Sequence, residues 1–140
     1  MCKHILIATD GSEIANKAMP HAIELAKALG ATLSAVTVTE PYDAVIAAEA
    51  QPDYNEQSEE SAAEILSAIT SAAEAEGIRC KIVQEQNRRP YIGIIDAAER
   101  VGADLIVIGS HGRQGIEGLL LGSQATKLLT HTKIPSLVVR

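Results

Sequence analysis

Lys3-His4-Ile5-Leu6-Ile7-Ala8-Thr9, running straight into Asp10-Gly11-Ser12, sets the fold class. A short, near-continuous apolar run marks a strand buried on both faces, and such strands belong to parallel sheets with helices on either side. Ser12 is a good N-cap, and Glu13 suits a first helical turn, where the macrodipole favours negative charge. Ile14, Ala18, Ala22, Ile23, Ala26 and Leu29 then recur at helical spacing until Gly30 closes the helix. Pro20 falls inside that helix, where a proline costs about 3 kcal/mol, and predicts a kink.

The same alternation continues outward. Thr32 to Thr39 is rich in β-branched residues and reads as a second strand. A loop is expected from Glu40 to about Glu56, with a short helix over Asp43 to Ala50 and with Tyr42 and Tyr54 as candidate lid residues. An acidic-faced helix follows from Ser58 to Glu76, with Ile65, Ile69 and Ala73 on one stripe and Gly77 after it. Ile78 to Val83 alternates apolar and charged residues, as an edge strand wet on one face does. Pro90 opens a helix that Gly102 stops, and Asp104 to Ile108 is the second clear buried strand. A glycine-rich loop from Gly109, a helix over Leu119 to Thr130 and a last strand over Pro135 to Val139 complete the chain. Right-handed crossovers between alternating strands and helices force a parallel sheet covered on both faces. The expectation is a single doubly wound α/β domain over residues 1–140, its five-stranded parallel sheet ordered 3-2-1-4-5.

Composition removes several function classes. The net charge is −6, no Phe or Trp is present and only three Tyr occur. Nucleic-acid backbones call for a cationic face and usually stacking aromatics, so no nucleic-acid partner is expected. Cys2 and Cys80 are far apart and the four histidines show no i,i+4 pairing, which argues against disulfide frameworks and zinc sites. No leader sequence and no apolar run near the ~20 residues of a membrane span are visible, giving the expectation of a soluble, cytoplasmic protein. No Gly-Lys-Ser/Thr of a P-loop occurs, and only Gly11 follows the first strand, against the G-x-G-x-x-G of a dinucleotide site. Gln84-Glu85-Gln86-Asn87 does not supply the acceptor of a phospho-receiver domain, and no Ser/His/Asp set suggests a hydrolase.

In an open α/β sheet, ligands collect outside the carboxyl ends of the strands, where the strand order reverses. The two most buried strands deliver Thr9-Asp10-Gly11 and Gly109-Ser110-His111-Gly112-Arg113 there, with Leu121-Gly122-Ser123-Gln124 at or before a helix. Phosphate recognition needs backbone N–H groups approachable without a Cβ in the way, and a helix N-terminus behind them. Gly109, Gly112 and Gly122 suit that approach, the Ser123 hydroxyl adds a donor, and His111, Arg113 and Lys127 are nearby cations. The same glycines are equally compatible with simple turns. Asp10 likewise has two readings. It caps the turn before the first helix, or it faces ribose hydroxyls or a bridging Mg²⁺, since an acid repels bare phosphate.

The spacing Gly109-x2-Gly112-x9-Gly122-Ser123 resembles the phosphate-binding pattern of the universal stress protein A family. Leu105 to Arg113, Leu120-Leu121-Gly122-Ser123, Pro135 to Val139 and Ile5 to Ser12 resemble the family's words as well, so the likeness runs from Lys3 to Arg140. It implies the ATP-binding branch, whose glycine pattern is intact here, and an ATP, ADP or AMP ligand with Mg²⁺. Asp10, with Ala8 and Thr9, would lie by the nucleoside, and Val38 would offer adenine a backbone contact. Ile108, Gly109, His111, Gly112, Gly122, Ser123, Gln124 and Ala125 would meet ribose and phosphates. The family's habit of pairing through its last strand implies a homodimer through Pro135 to Val139, an apolar edge that a monomer would otherwise have to blunt. Two alternatives to a regulatory nucleotide-binding protein remain. One is a slow ATPase or self-phosphorylating enzyme with Ser110 or Ser123 as acceptor; the other is a dimeric interaction module with a vestigial site.

Overall fold

In the computed structural model, residues 2–41, 53–111 and 121–140 are described, with side chains in the helix beginning at Asp53 described from residue 60 onward. The opening apolar run is strand β1 (His4–Ala8). Two helices follow it, α1 (Glu13–Asn16) and α2 (Ala18–Leu29), and then β2 (Thr32–Thr39). The long helix α3 (Asp53–Ala75) leads to β3 (Cys80–Gln86), and α4 (Pro90–Val101) to β4 (Leu105–Gly109). The last elements are α5 (Ser123–His131) and β5 (Ser136–Val139). All neighbouring strands pair in parallel, in the order β3-β2-β1-β4-β5.

Strand alternation splits the interior into two layers. Ile5 and Ile7 of β1, Leu33 and Ala35 of β2 and Val107 of β4 face α2 and α3, meeting Ala18, Ala22, Ala26, Leu66 and Ile69. Leu6, Val36, Ile106 and Ile108 point the other way, against Ile94, Ala97 and Ala98 of α4 and Leu128 of α5. The alanines let helices sit close to the sheet, so aliphatic side chains fill both layers without Phe or Trp. Gly30 and Gly102 end α2 and α4 in left-handed conformation (φ 64° and 68°), as C-terminal glycines do.

Four elements differ from the sequence reading by more than a residue. The single kinked helix expected after Ser12 is two helices meeting at Lys17, which places Pro20 at the third position of α2. There its missing N–H is one of the four that no helix satisfies internally. Pro20→Ala should therefore leave stability unchanged or lower it by under about 1 kcal/mol, through a looser unfolded chain. Urea denaturation checks this, and a gain approaching 3 kcal/mol would put the proline in a helix interior after all. Helix α3 begins at Asp53, not Ser58, so Tyr54 belongs to a helix and not to the loop. Strand β3 runs to Gln86, continuing past Val83 because Gln84, Glu85 and Gln86 pair with Thr37, Val38 and Thr39 on a sheet edge that tolerates polar side chains. Helix α5 starts at Ser123, so Leu121 and Gly122 precede it. Tyr42, the short helix expected over Asp43 to Ala50, and Leu119-Leu120 lie outside the described residues.

The amino ends of the strands are tied by Asp104, whose Oδ2 accepts from the Lys3 and His4 amides at 2.7 and 2.9 Å. His4 Nε2 lies 2.7 Å from the hydroxyl of fully buried Ser34. Burial, reinforced by Lys81 and opposed by Asp104, pushes the imidazole below its usual 6.5, and the two amide bonds hold Asp104 below its usual 3.8. A histidine whose folded pKa is depressed binds its proton more readily when unfolded, so stability is lost as pH falls below about 6.5. The Asp104 contribution is lost only at lower pH, below about 3.8. His4→Gln should flatten the first segment of the urea midpoint against pH and leave the second. Superimposable curves for parent and variant would contradict this assignment.

Candidate functional site

The carboxyl ends of β1, β2 and β4 open into a cleft of about 390 Å³, within the usual range for small-molecule sites. Ala8, Thr9 and Asp10 come from β1, Val38 from β2, and Ile108, Gly109 and His111 from β4, while Gly122, Ser123, Gln124 and Ala125 line the wall at the start of α5. Every residue read as a ligand contact is on this wall except Gly112 and Arg113, which lie outside the described residues. Ala15, Val36, Glu40, Arg88, Pro90, Ile94 and Ser110 line it too.

The turn after β1 is held by its own polar atoms. Thr9 Oγ1 accepts from the Gly11 amide at 3.1 Å and donates to Asn16 Oδ1 at 3.2 Å. Asp10 Oδ1 accepts from the Ser12 amide at 3.0 Å, and Ser12 Oγ caps α1 by accepting from Ala15 N at 3.2 Å. One Asp10 oxygen thus shapes the turn, and the residue also lines the cleft.

Packing of the chain itself also requires two of the motif's glycines. A Cβ on Gly109 would stand 2.8 Å from Ala15 Cα, and one on Gly122 would stand 2.9 Å from Ser110 O and 3.2 Å from His111 Cα. The chain itself fills that space. The Gly122 amide donates to Ser110 O at 2.6 Å, so this N–H is already committed. The first intrahelical bond of α5 runs from Thr126 N to Gly122 O at 3.0 Å. The amides of Ser123, Gln124 and Ala125 therefore have no carbonyl within the helix to meet, and Gly122 offers no side-chain cap.

A second helix starts at the same cleft. Pro90 is the first residue of α4, and the Tyr91 amide donates to Gln124 Oε1 at 3.1 Å, so the Gln124 side chain ties the two helix starts together. Gly93 allows the approach of α4 to β2, since a Cβ there would meet Val38 Cγ1 at 2.8 Å. Two N-terminal dipole ends bordering one cleft make a positive lip on a chain of net charge −6. The neighbouring His111 has its Nδ1 3.0 Å from Ser110 Oγ, while its Nε2 is shut off from solvent without a hydrogen-bond partner among the described residues. Among the described residues, no group of three or more His, Cys, Asp or Glu could hold a metal ion. Nor is any of their helices long and apolar enough to cross a membrane.

A doubly wound α/β domain with its cleft beside the β1/β4 reversal of strand order is the class that this geometry defines. The chain belongs to the universal stress protein family, whose model matches residues 1–140. Universal stress protein MJ0531 of Methanocaldococcus jannaschii is 34% identical over 140 residues, covering 99% of this chain and 82% of its own length. Among solved structures, that of the hypothetical protein MJ0577 matches with a TM-score of 0.84 at 28% identity, over 99% of this chain and 96% of that one. A universal stress protein solved in complex with cAMP matches with a TM-score of 0.72 at 27% identity, over 99% and 97% of the two chains.

Proposed function

We propose that the chain is a regulatory protein of the ATP-binding branch, holding ATP with Mg²⁺ in the cleft and altering its surface accordingly. The observation that carries this reading is the first turn of α5, whose three amides, without a partner among the described residues, border a cleft of nucleotide-compatible volume. Phosphate oxygens suit such amides because they bring negative charge and acceptors to a positive helix end. Val38, Pro90 and Ile94 supply the apolar end expected of a base site. Asp10 would face the ribose or, through the nucleotide, Mg²⁺. The related protein in complex with cAMP supports an adenine nucleotide as the ligand class. Gly112 and Arg113 belong to the proposal by their place in the glycine motif alone.

The absorbance and mass of whatever co-purifies test the reading directly, since a chain without Trp leaves adenine absorbance easy to see. Turnover separates this reading from a slow ATPase. Phosphate release should fall orders of magnitude below the roughly 1–10³ s⁻¹ of typical enzymes. Release that survives further purification and vanishes in Asp10→Ala would move the chain to the enzymes.

The proposal extends to a homodimer through Pro135 to Val139. The ladder leaves Leu137 and Val139 bonded towards β4, so the amide and carbonyl of Ser136 and Val138 point to the open edge. Val138→Pro removes one outward donor and no bond to β4. Light scattering should then report monomers where the parent gives dimers, and a monomeric parent at micromolar concentration ends the dimer proposal.

A further inference from the structure

Proton positions in the Ser110–His111 pair follow from counting partners. Ser110 is 3% exposed, and its backbone is committed on both sides, its amide donating to Val139 O at 2.7 Å and its carbonyl accepting from Gly122 N at 2.6 Å. Its hydroxyl has one hydrogen-bond partner among the described residues, His111 Nδ1 at 3.0 Å. A hydrogen on Nδ1 would leave both the buried hydroxyl proton and the Nε2 lone pair unpaired among the described residues. With the hydroxyl donating to Nδ1, the imidazole hydrogen sits on Nε2 and is the one proton of the pair left without an acceptor among the described residues. That nitrogen is the buried one without a partner. Cδ2, bonded to it, lies 3.6 Å from the Cβ position of Gly122, the residue that caps α5. The donor therefore stands beside the first-turn amides of α5, which have no partner among the described residues.

We infer that Ser110 is a positioning residue that holds His111 as the neutral Nε2–H tautomer, a hydrogen-bond donor for a phosphate oxygen seated at the start of α5. The inference rests on the nucleotide reading and adds what its phosphate end selects: an acceptor oxygen. Nε2 is closed to water, so a ligand oxygen reaches it as the ring and the Ser110 hydroxyl shift together towards the cleft, ordinary side-chain adjustments on binding. Adenosine, with no phosphate, gains nothing from this donor.

The full chain labelled with ¹⁵N tests the assignment by two-bond nitrogen–proton correlation of its four imidazoles, His111 being identified by its absence in His111→Gln. Before any addition, His111 should carry its hydrogen on Nε2. Mg-ATP should shift that resonance and adenosine should not. Ser110→Ala should give mixed tautomers and weaken ATP by about twofold, the loss expected when about half the molecules lack the Nε2 hydrogen, while leaving adenosine unaffected. Ser110→Thr, which keeps the hydroxyl, should restore both tautomer and affinity. Hydrogen on Nδ1 in the parent overturns the inference, as does a Ser110→Ala protein with parental tautomer and affinity. If Mg-ATP moves no resonance in the parent, the nucleotide reading fails, and the tautomer measured beforehand still decides the role of Ser110.

Discussion

On the proposed nucleotide reading, Mg-ATP should stabilise the parent, and Ser123→Glu should abolish that gain while folding at least as well. A site filled at a hundred times its Kd adds about 2.7 kcal/mol, which in a domain of this size moves Tm by about 10 °C. Ser123 opens α5 on the cleft wall, so a carboxylate there would repel phosphates bound as proposed at the first-turn amides. The same carboxylate interacts favourably with the helix dipole, worth about 0.3–1 kcal/mol. Loss of binding and gain in stability thus come from one substitution, which separates a blocked site from a damaged fold. A full Mg-ATP shift in this variant, measured by differential scanning calorimetry, would remove phosphate from the start of α5.

Gly109→Ala should lower stability by about 2 kcal/mol, or about 7 °C in Tm, with no nucleotide present. The added Cβ meets Ala15 Cα at 2.8 Å and Ile14 O at 3.2 Å, and both are backbone atoms that no rotamer change can move. Helix α1 must shift away from β4. Denaturation in urea checks the loss, and a change below about 0.5 kcal/mol, the range of harmless surface substitutions, would show that the strand and helix are less tightly apposed. The same geometry makes Gly122 a poor probe of ligand binding. A side chain there strikes Ser110 and His111 before it reaches the cleft, so Ser123 is the better choice.

Local chemistry explains why some elements were legible from sequence and others were not. Strand β2 and helix α4 match their expected bounds because β-branched residues, Pro90 and Gly102 each act on their own neighbourhood. The break at Lys17 was not legible. Its backbone stays in the right-handed helical region (φ −62°, ψ −22°), and nothing in the apolar stripe is interrupted there. The start of α3 was missed because residues 53–58 are mostly polar and show no stripe, although they are helical. In the cleft, the motif pointed to β1, β4 and α5, whereas Glu40 and Arg88 follow β2 and β3 with no motif of their own. The rule that ligands gather at strand carboxyl ends reaches them only when applied to the strands beyond the central pair. The glycine spacing was plain, but its cause, contact with Ala15 and Ser110 across more than ten residues in sequence, needed coordinates.

The peptide groups flanking Ser110 link the cleft to the edge of the sheet. Its carbonyl takes the Gly122 amide at 2.6 Å and its amide gives to Val139 O at 2.7 Å, both near the short end of the range for such bonds. Little slack is left in either. An ångström of travel at the start of α5 must snap the first link or drag the end of β4, and with it the last residue of β5. The lip of the cleft and the outermost strand are geared together through one residue, so whatever docks on that strand stands two hydrogen bonds from whatever fills the cleft.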